Sequence, residues 1–210
     1  MKSLSESLRL YAVTDRTWLN GRTLGEVVRL SLDGGAGMIQ LREKNLPYEA
    51  FKYQALEIQA ICRKYDVPFI INDNVNLACD VNADGVHVGQ SDMEAGNVRA
   101  LIGSGKILGV SARTVQEAVT AEARGADYIG AGAVFHTGSK SDAVDITHET
   151  LREICSAVKI PVVAIGGINA GNILQLKGSG IKGVAVISAI YAADDITASA
   201  RELWRLAGEL

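Results

Sequence analysis

Little in this 210-residue chain marks it as specialised, and the shortages are informative. Aromatic residues make up 5% of it and proline occurs three times, so the core must be aliphatic and the turns must use other residues. The three cysteines, Cys62, Cys79 and Cys155, are odd in number and share neither a CxxC nor a zinc-type spacing. That argues against a disulfide framework and leaves buried, reduced thiols as the expectation. No apolar run approaches the ~18 residues of a membrane-spanning helix, and the opening MKSLSESLRLYAV is too polar for a secretory signal. A cytoplasmic protein with no membrane partner is the expectation. Surplus positive charge is also missing, since 21 Lys and Arg stand against 24 Asp and Glu for a net charge of −3. A nucleic-acid binder would show a basic stripe, so any anionic ligand must be held by cations placed locally. HExxH is absent, and neither a Ser/His/Asp triad nor a Cys/His pair can be read.

What the chain does have is glycine, 22 residues of it, and 48% hydrophobic residues arranged in alternating blocks. Short runs rich in Val, Ile and Gly read as eight strands: Leu10–Thr14, Gly37–Arg42, Pro68–Asn72, Gly85–Gly89, Lys106–Ser111, Tyr128–Gly132, Pro161–Gly166 and Gly183–Ser188. Apolar runs of that length, bounded by turn residues, suit strands buried on both faces. Helical patterns lie between them. Tyr48–Tyr65 sets Phe51, Ala55, Ile58 and Cys62 on one face at spacings of three and four. Val115–Arg124, Thr150–Val158 and Thr197–Ala207 repeat that design. Thr114 with Glu117 reads as a capping box, and His148 as a cap or a residue just before its helix. Gly34 and Gly35, Gly125, and Gly178 with Gly180 stand where helices should end.

Alternate units share a further feature. Gly-Ala-Gly-Met-Ile at 35–39 (one glycine short of a full match), Asn-Ala-Asp-Gly-Val at 82–86, Gly-Ala-Asp-Tyr-Ile at 125–129 and Gly-Ile-Lys-Gly-Val at 180–184 precede the second, fourth, sixth and eighth strands. A βα unit repeated in this way predicts an α/β fold of the (β/α)8 TIM-barrel type, whose core is layered from alternate strands. An open doubly wound sheet would carry GxGxxG after its first strand, where this chain has Thr14-Asp15-Arg16. No linker or low-complexity tract divides the chain, so residues 1–210 are expected to form one domain.

In such barrels the polar residues at the C-terminal strand ends do the chemistry. The second strand ends Gln40-Leu41-Arg42-Glu43-Lys44, the third Asn72-Asp73-Asn74, the fourth His87-Val88-Gly89-Gln90-Ser91-Asp92 and the fifth Ser111. Asp73 and Asp92 thus lie on adjacent loops beside Arg42 and Lys44. Mg2+ is typically held by one or two carboxylates together with substrate phosphate oxygens. Arg and Lys neutralise the rest of the phosphate charge. The outline is a pyrophosphate–metal site, with a structural ion-pair network as the bland alternative. The segment from Ala133 to Ala143 is long and polar for a βα loop and reads as a lid, with Thr137, Ser139 and Lys140 suited to phosphate. Ile165-Gly166-Gly167-Ile168 and Val186-Ile187-Ser188-Ala189 end the last two strands, where phosphate-binding barrels place their anion. Gly166 and Gly167, with Gly183 and Ser188 on the neighbouring strand, are expected to form that pocket. His87 lies mid-strand, facing either the barrel interior or the helices, and reads as a core residue or a general base. His136 lies on the expected lid.

Taken together, YAVTD at 11–15, QLREK at 40–44, FIINDN at 69–74, DGVHVGQSD at 84–92, LGVSART at 108–114, ADYIGAGAVFHTGSKSDA at 126–143, PVVAIGGI at 161–168 and GVAVISAI at 183–190 resemble the thiamine phosphate synthase family. They occur in family order over nearly the whole chain. The resemblance implies that a hydroxymethylpyrimidine pyrophosphate loses pyrophosphate while the nitrogen of a thiazole phosphate attacks the exposed methylene carbon. It implies Mg2+ as cofactor, held by Asp73 and Asp92. Gln40, Arg42, Lys44, Asn72, Ser111 and Lys140 would contact the pyrimidine pyrophosphate. Arg42, Lys44, Ser111 and Lys140 would be the catalytic set among them. Thr137, Ser139, Gly167 and the Ile187–Ser188 backbone would meet the thiazole phosphate. Ser139 stands where the family more often has Thr, and Ala133 and His136 where it often has Pro. The related thiazole tautomerases share the fold and the C-terminal phosphate motif but lack the QLREK and paired-aspartate set. A regulatory phosphate-binding barrel is the reading from another class. Self-association is left open.

Overall fold

The computed structural model of the chain describes residues 3–90, 96–136 and 145–210. Its strands are β1 Leu10–Val13, β2 Met38–Leu41, β3 Phe69–Asn72, β4 Gly85–Val88, β5 Ile107–Ala112, β6 Tyr128–Gly132, β7 Val162–Ile165 and β8 Gly183–Val186. All are parallel and follow one another in chain order, and β8 pairs with β1 to close a barrel. Most strands are a residue or two shorter than the sequence suggests. One of these differences matters for the site, because Ser188 opens a helix rather than ending a strand.

Among the described residues, α1 Leu4–Leu8 precedes the barrel. Outside it lie α2 Leu24–Asp33, α3 Tyr48–Lys64, α4 Val75–Asp80, α5 Gly96–Ile102, α6 Val115–Ala123 and α7 His148–Ala157. The short α8 Ser188–Tyr191 and the closing α9 Ile196–Ala207 complete the set. A single 3-10 turn, Ile173–Leu176, replaces the crossover helix after β7. No helix of the described residues is long and apolar enough to cross a membrane.

Strand residues alternate between two cores, because successive side chains leave a strand on opposite faces. Leu10 and Ala12 of β1, Ile39 and Leu41 of β2, and Val86 and Val88 of β4 pack outward under the helices. Tyr11, Val13, Met38, Ile70, Tyr128 and Val163 fill the barrel itself. Two of the scarce aromatics, Tyr11 and Tyr128, are placed there, and the Tyr128 ring occupies the space that a Cβ at Gly109 would need.

The repeat before the even-numbered strands is a register device. Backbone N–H groups of Gly37, Asp84, Asp127 and Lys182 donate to the carbonyls of Leu10, Phe69, Leu108 and Val162, each at the base of the preceding strand. Asp84 and Asp127 add a side-chain clasp, accepting from Phe69 N at 2.9 Å and Leu108 N at 2.7 Å. Gly183 serves this end of the barrel, not the phosphate pocket: a Cβ there would collide with the Leu8 carbonyl.

The capping box of Thr114 with Glu117 forms, and Thr23 with Glu26 and Ser3 with Glu6 form two more. His148 is neither cap nor precursor but the first residue of α7, whose N-cap is Thr147. Of the thiols only Cys62 is fully buried, while Cys155 is half-buried and Cys79 exposed. Cys79 lies near the end of the short helix α4, on its solvent side.

Candidate active site

The inward positions at the C-terminal strand ends converge on one cleft. Gln40, Asn72, His87 and Ser111 line its inner part. Through Ser111, Gly130, Ile165 and Ile187 this continues into an outer part bordered by Gly166, Gly167 and Ser188. Period-two alternation explains the choice of residues: with Val86 and Val88 outward, His87 must point into the barrel.

Arg42 brings a buried positive charge to the inner cleft and pairs with Asp15 at 3.3 Å. Asp15 is itself fixed by accepting from Thr17 N, and the Arg42 backbone N–H donates to Thr14 Oγ1 at 3.0 Å. The neighbouring Glu43 is tied away by Arg16, whose Nε lies 2.7 and 2.9 Å from its two carboxylate oxygens. Lys44 is exposed. At the end of β3, Asn72 Nδ2 donates to Asp73 Oδ2 at 2.6 Å and Asp73 N donates to the His87 carbonyl at 2.8 Å. Asp73 takes a left-handed backbone, φ 62°, which a short polar side chain tolerates. The Asp73 carboxylate is therefore an oriented hard-oxygen donor next to the cleft, the chemistry Mg2+ requires. It fits a site completed by substrate phosphate oxygens.

Inside the barrel a chain of hydrogen bonds joins two of the predicted contacts. Gln40 Nε2 donates to Tyr11 Oη at 2.6 Å, and Tyr11 Oη lies 2.8 Å from Tyr128 Oη. Tyr128 Oη is 2.8 Å from His87 Nδ1, and His87 Nε2 is 3.0 Å from Ser111 Oγ. Burial pushes both phenols well above their ordinary pKa, so each keeps its proton.

The outer cleft is shaped by close backbone approaches. Gly166 and Gly167 have φ of 102° and 63°, and a Cβ at Gly166 would collide with Ala133. The Gly167 carbonyl accepts from Asn172 Nδ2 at 2.9 Å, which pins the loop. Across from it, Ile187 caps α8, and Ser188 starts a helix whose first amides have no partner within it. An anion on that wall would meet N–H groups, whichever way the side chains lie.

Gln40, Arg42, Asn72, Ser111, Gly167, Ile187 and Ser188 thus share one cleft. Asp92, Thr137, Ser139 and Lys140 lie outside the described residues. His136 is exposed, with Nδ1 3.7 Å from the Asp145 carboxylate. Sequence reasoning did not single out Tyr11, Tyr128, Asp15 or Arg113, although Tyr11 and Arg113 line the cleft, Tyr128 lies buried behind it bonded to Tyr11 and His87, and Asp15 holds Arg42. Strand alternation, which sends Tyr11 inward between Leu10 and Ala12, was the available signal for the tyrosines.

The family model for thiamine monophosphate synthase matches residues 10–190. A thiamine-phosphate synthase of Ruminiclostridium cellulolyticum is 51% identical over 194 residues, covering 92% of each chain. One from Clostridioides difficile is 47% identical over 205 residues, 98% of this chain and 97% of its own. Among solved structures, the thiamine phosphate pyrophosphorylase of Pyrococcus furiosus superposes with a TM-score of 0.91 at 41% identity, over 99% of this chain and 98% of that one. Sequence and geometry agree that the chain belongs to the thiamine monophosphate synthase family.

Proposed function

We propose that the protein joins 4-amino-2-methyl-5-hydroxymethylpyrimidine pyrophosphate to 4-methyl-5-(2-phosphoethyl)thiazole, forming thiamine phosphate and releasing pyrophosphate. The observation that carries this reading is one continuous cleft with two kinds of wall. Its inner part has a buried arginine and a set of amide, hydroxyl and imidazole groups, and its outer part has glycine-flanked backbone suited to a second phosphate.

The bond that breaks joins the pyrimidine methylene carbon to the bridging pyrophosphate oxygen, and its electron pair leaves with pyrophosphate. The bond that forms uses the lone pair of the thiazole nitrogen. The electron-rich aminopyrimidine stabilises the developing carbocation, and no side chain needs to remove a proton. Arg42, Lys44 and Lys140 act on the leaving group, where negative charge grows, and so favour the transition state over the ground state. Asp15 keeps Arg42 oriented. Gln40, Asn72 and Ser111 hold the pyrimidine pyrophosphate, while Thr137, Ser139, Gly167 and the Ile187–Ser188 backbone hold the thiazole phosphate. Asp73 and Asp92 would hold Mg2+, which when bound neutralises part of the pyrophosphate charge.

Pyrophosphate release from purified protein is the test. Release that requires both heterocycles and stops on chelation is expected. Absence of release, with thiazole phosphate still bound, would overturn the synthase reading in favour of a tautomerase-like or regulatory barrel.

A further inference from the structure

The chain of hydrogen bonds from Gln40 to Ser111 has only two self-consistent proton orders. Each phenol carries one proton, so Tyr11 and Tyr128 each donate to one neighbour and accept from the other. With one ring N–H, His87 accepts at one nitrogen and donates at the other. Starting from Gln40 Nε2 donating to Tyr11, the order that keeps one proton per phenol runs from Tyr11 to Tyr128 and from Tyr128 to His87 Nδ1, over contacts of 2.8 Å each. His87 Nε2 then donates to Ser111 Oγ, which frees the Ser111 proton for a ligand. Gln40 Oε1 has no partner among the described residues, so an acceptor is left beside the cleft at that end. The opposite order exchanges these roles, leaving a donor at Gln40 and an acceptor at Ser111. Changing one end therefore means reversing every link.

From this we infer that Tyr11, Tyr128 and His87 are positioning residues that fix the hydrogen-bond polarity of the pyrimidine pocket and thereby select a 4-aminopyrimidine over its 4-oxo counterpart. The 4-amino compound offers a donor at the exocyclic nitrogen and an acceptor at the adjacent ring nitrogen. It complements an acceptor at Gln40 and a donor at Ser111. The 4-oxo compound offers the reverse pair and fits only the reversed chain. A site built to hydrogen-bond one pattern rejects the other because its own buried groups are left unpaired. The surroundings show a built network: Gly109 makes room for the Tyr128 ring, and a Cβ at Gly130 would come within 3.1 Å of the His87 ring. The inference rests on the synthase reading, in which Gln40 and Ser111 hold the pyrimidine substrate.

The test compares dissociation constants of 4-amino- and 4-oxo-2-methyl-5-hydroxymethylpyrimidine pyrophosphate for the wild-type protein, Tyr11→Phe and Tyr128→Phe. Each substitution removes one hydroxyl and cuts the chain at a different link. Wild-type protein is expected to prefer the amino compound by about 100-fold or more, as hydrogen-bonding sites do. In each variant that preference is expected to fall by about tenfold, since the two ends can then turn independently. In turnover assays the change is expected in the KM for the amino substrate, with the KM for thiazole phosphate unmoved. A merely structural loss would weaken both pyrimidines alike and lower the melting temperature. Preference retained within twofold in both folded variants would overturn the positioning role alone. Wild-type protein that binds neither pyrimidine would overturn the synthase reading and this inference with it.

Discussion

Gly167→Ala tests the outer cleft most directly. At φ 63° the residue is left-handed, which costs an alanine about 1–2 kcal/mol. The added Cβ would sit 2.5 Å from the His136 carbonyl oxygen and 2.8 Å from both Cβ and the carbonyl oxygen of Phe135. Two of these neighbours are backbone atoms, so the loops after β6 and β7 must part. Overpacking of this kind adds about 1–3 kcal/mol. The sum is about 2–5 kcal/mol, or a fall in Tm of roughly 4–20 °C for a domain of this size. Parting the loops also shifts backbone assigned to the thiazole phosphate. Because a misplacement near 1 Å can cost about 10²-fold, the KM for thiazole phosphate should rise by at least ~10-fold, with the KM for pyrimidine pyrophosphate less affected. Gly103→Ala is the matched control: its φ is 74°, but a Cβ there meets nothing within 4 Å. It should show the conformational cost alone. Thermal melting with steady-state kinetics on both variants decides the matter. If Gly167→Ala melts no lower than Gly103→Ala and keeps its KM for thiazole phosphate, the close approach has no bearing on stability or binding.

Other outcomes follow from separate parts of the molecule. Asp15→Asn should lower stability by about 1–3 kcal/mol by leaving buried Arg42 without its carboxylate, and added pyrophosphate should restore much of the loss. A melt that pyrophosphate does not raise would contradict the assignment of Arg42 to that anion. Asp127→Ala removes the acceptor of Leu108 N and of Arg99, at 2.7 and 2.6 Å, and should also cost about 1–3 kcal/mol. Because this lies at the opposite end of the barrel, kcat per folded molecule should stay within about twofold, and a larger drop would show that the base clasp shapes the site. Burial pushes the Cys155 thiol up to about 11 and the Cys62 thiol further. The native state therefore holds protons that an unfolded chain releases above its thiol pKa near 8.5, so stability should fall as pH rises from ~8.5 towards 11. At pH ~8.5 a thiol reagent should modify exposed Cys79 quickly, Cys155 slowly and Cys62 only on unfolding. Rapid native labelling of Cys62 would refute that burial.

The strand set, the barrel class and the chemistry-bearing strand ends can be read from the sequence because each depends on local pattern. Apolar runs such as PVVAI at 161–165 suit only strands covered on both faces. Alternation within a run sends every second residue inward, which places Gln40, Asn72 and Ser111. A Thr followed three residues later by Glu writes a helix start, as at Thr114.

Other features depend on which distant residues meet, and no local pattern carries that. Gly183 looked like part of a phosphate pocket, yet the barrel brings it against the Leu8 carbonyl, because the register of β8 on β1 decides its neighbour. Asp15 became the partner of Arg42 through the register of β1 on β2, and Tyr11, Tyr128, His87 and Ser111 became one chain only when strands far apart in sequence closed into a ring. The amino acids alone determine that this chain winds into a barrel and which residues face its mouth, since helical and strand periodicities are short-range properties. Which donors face which acceptors across that mouth is decided by closure of the barrel, because hydrogen bonds of 2.6–3.0 Å require the register of all eight strands at once.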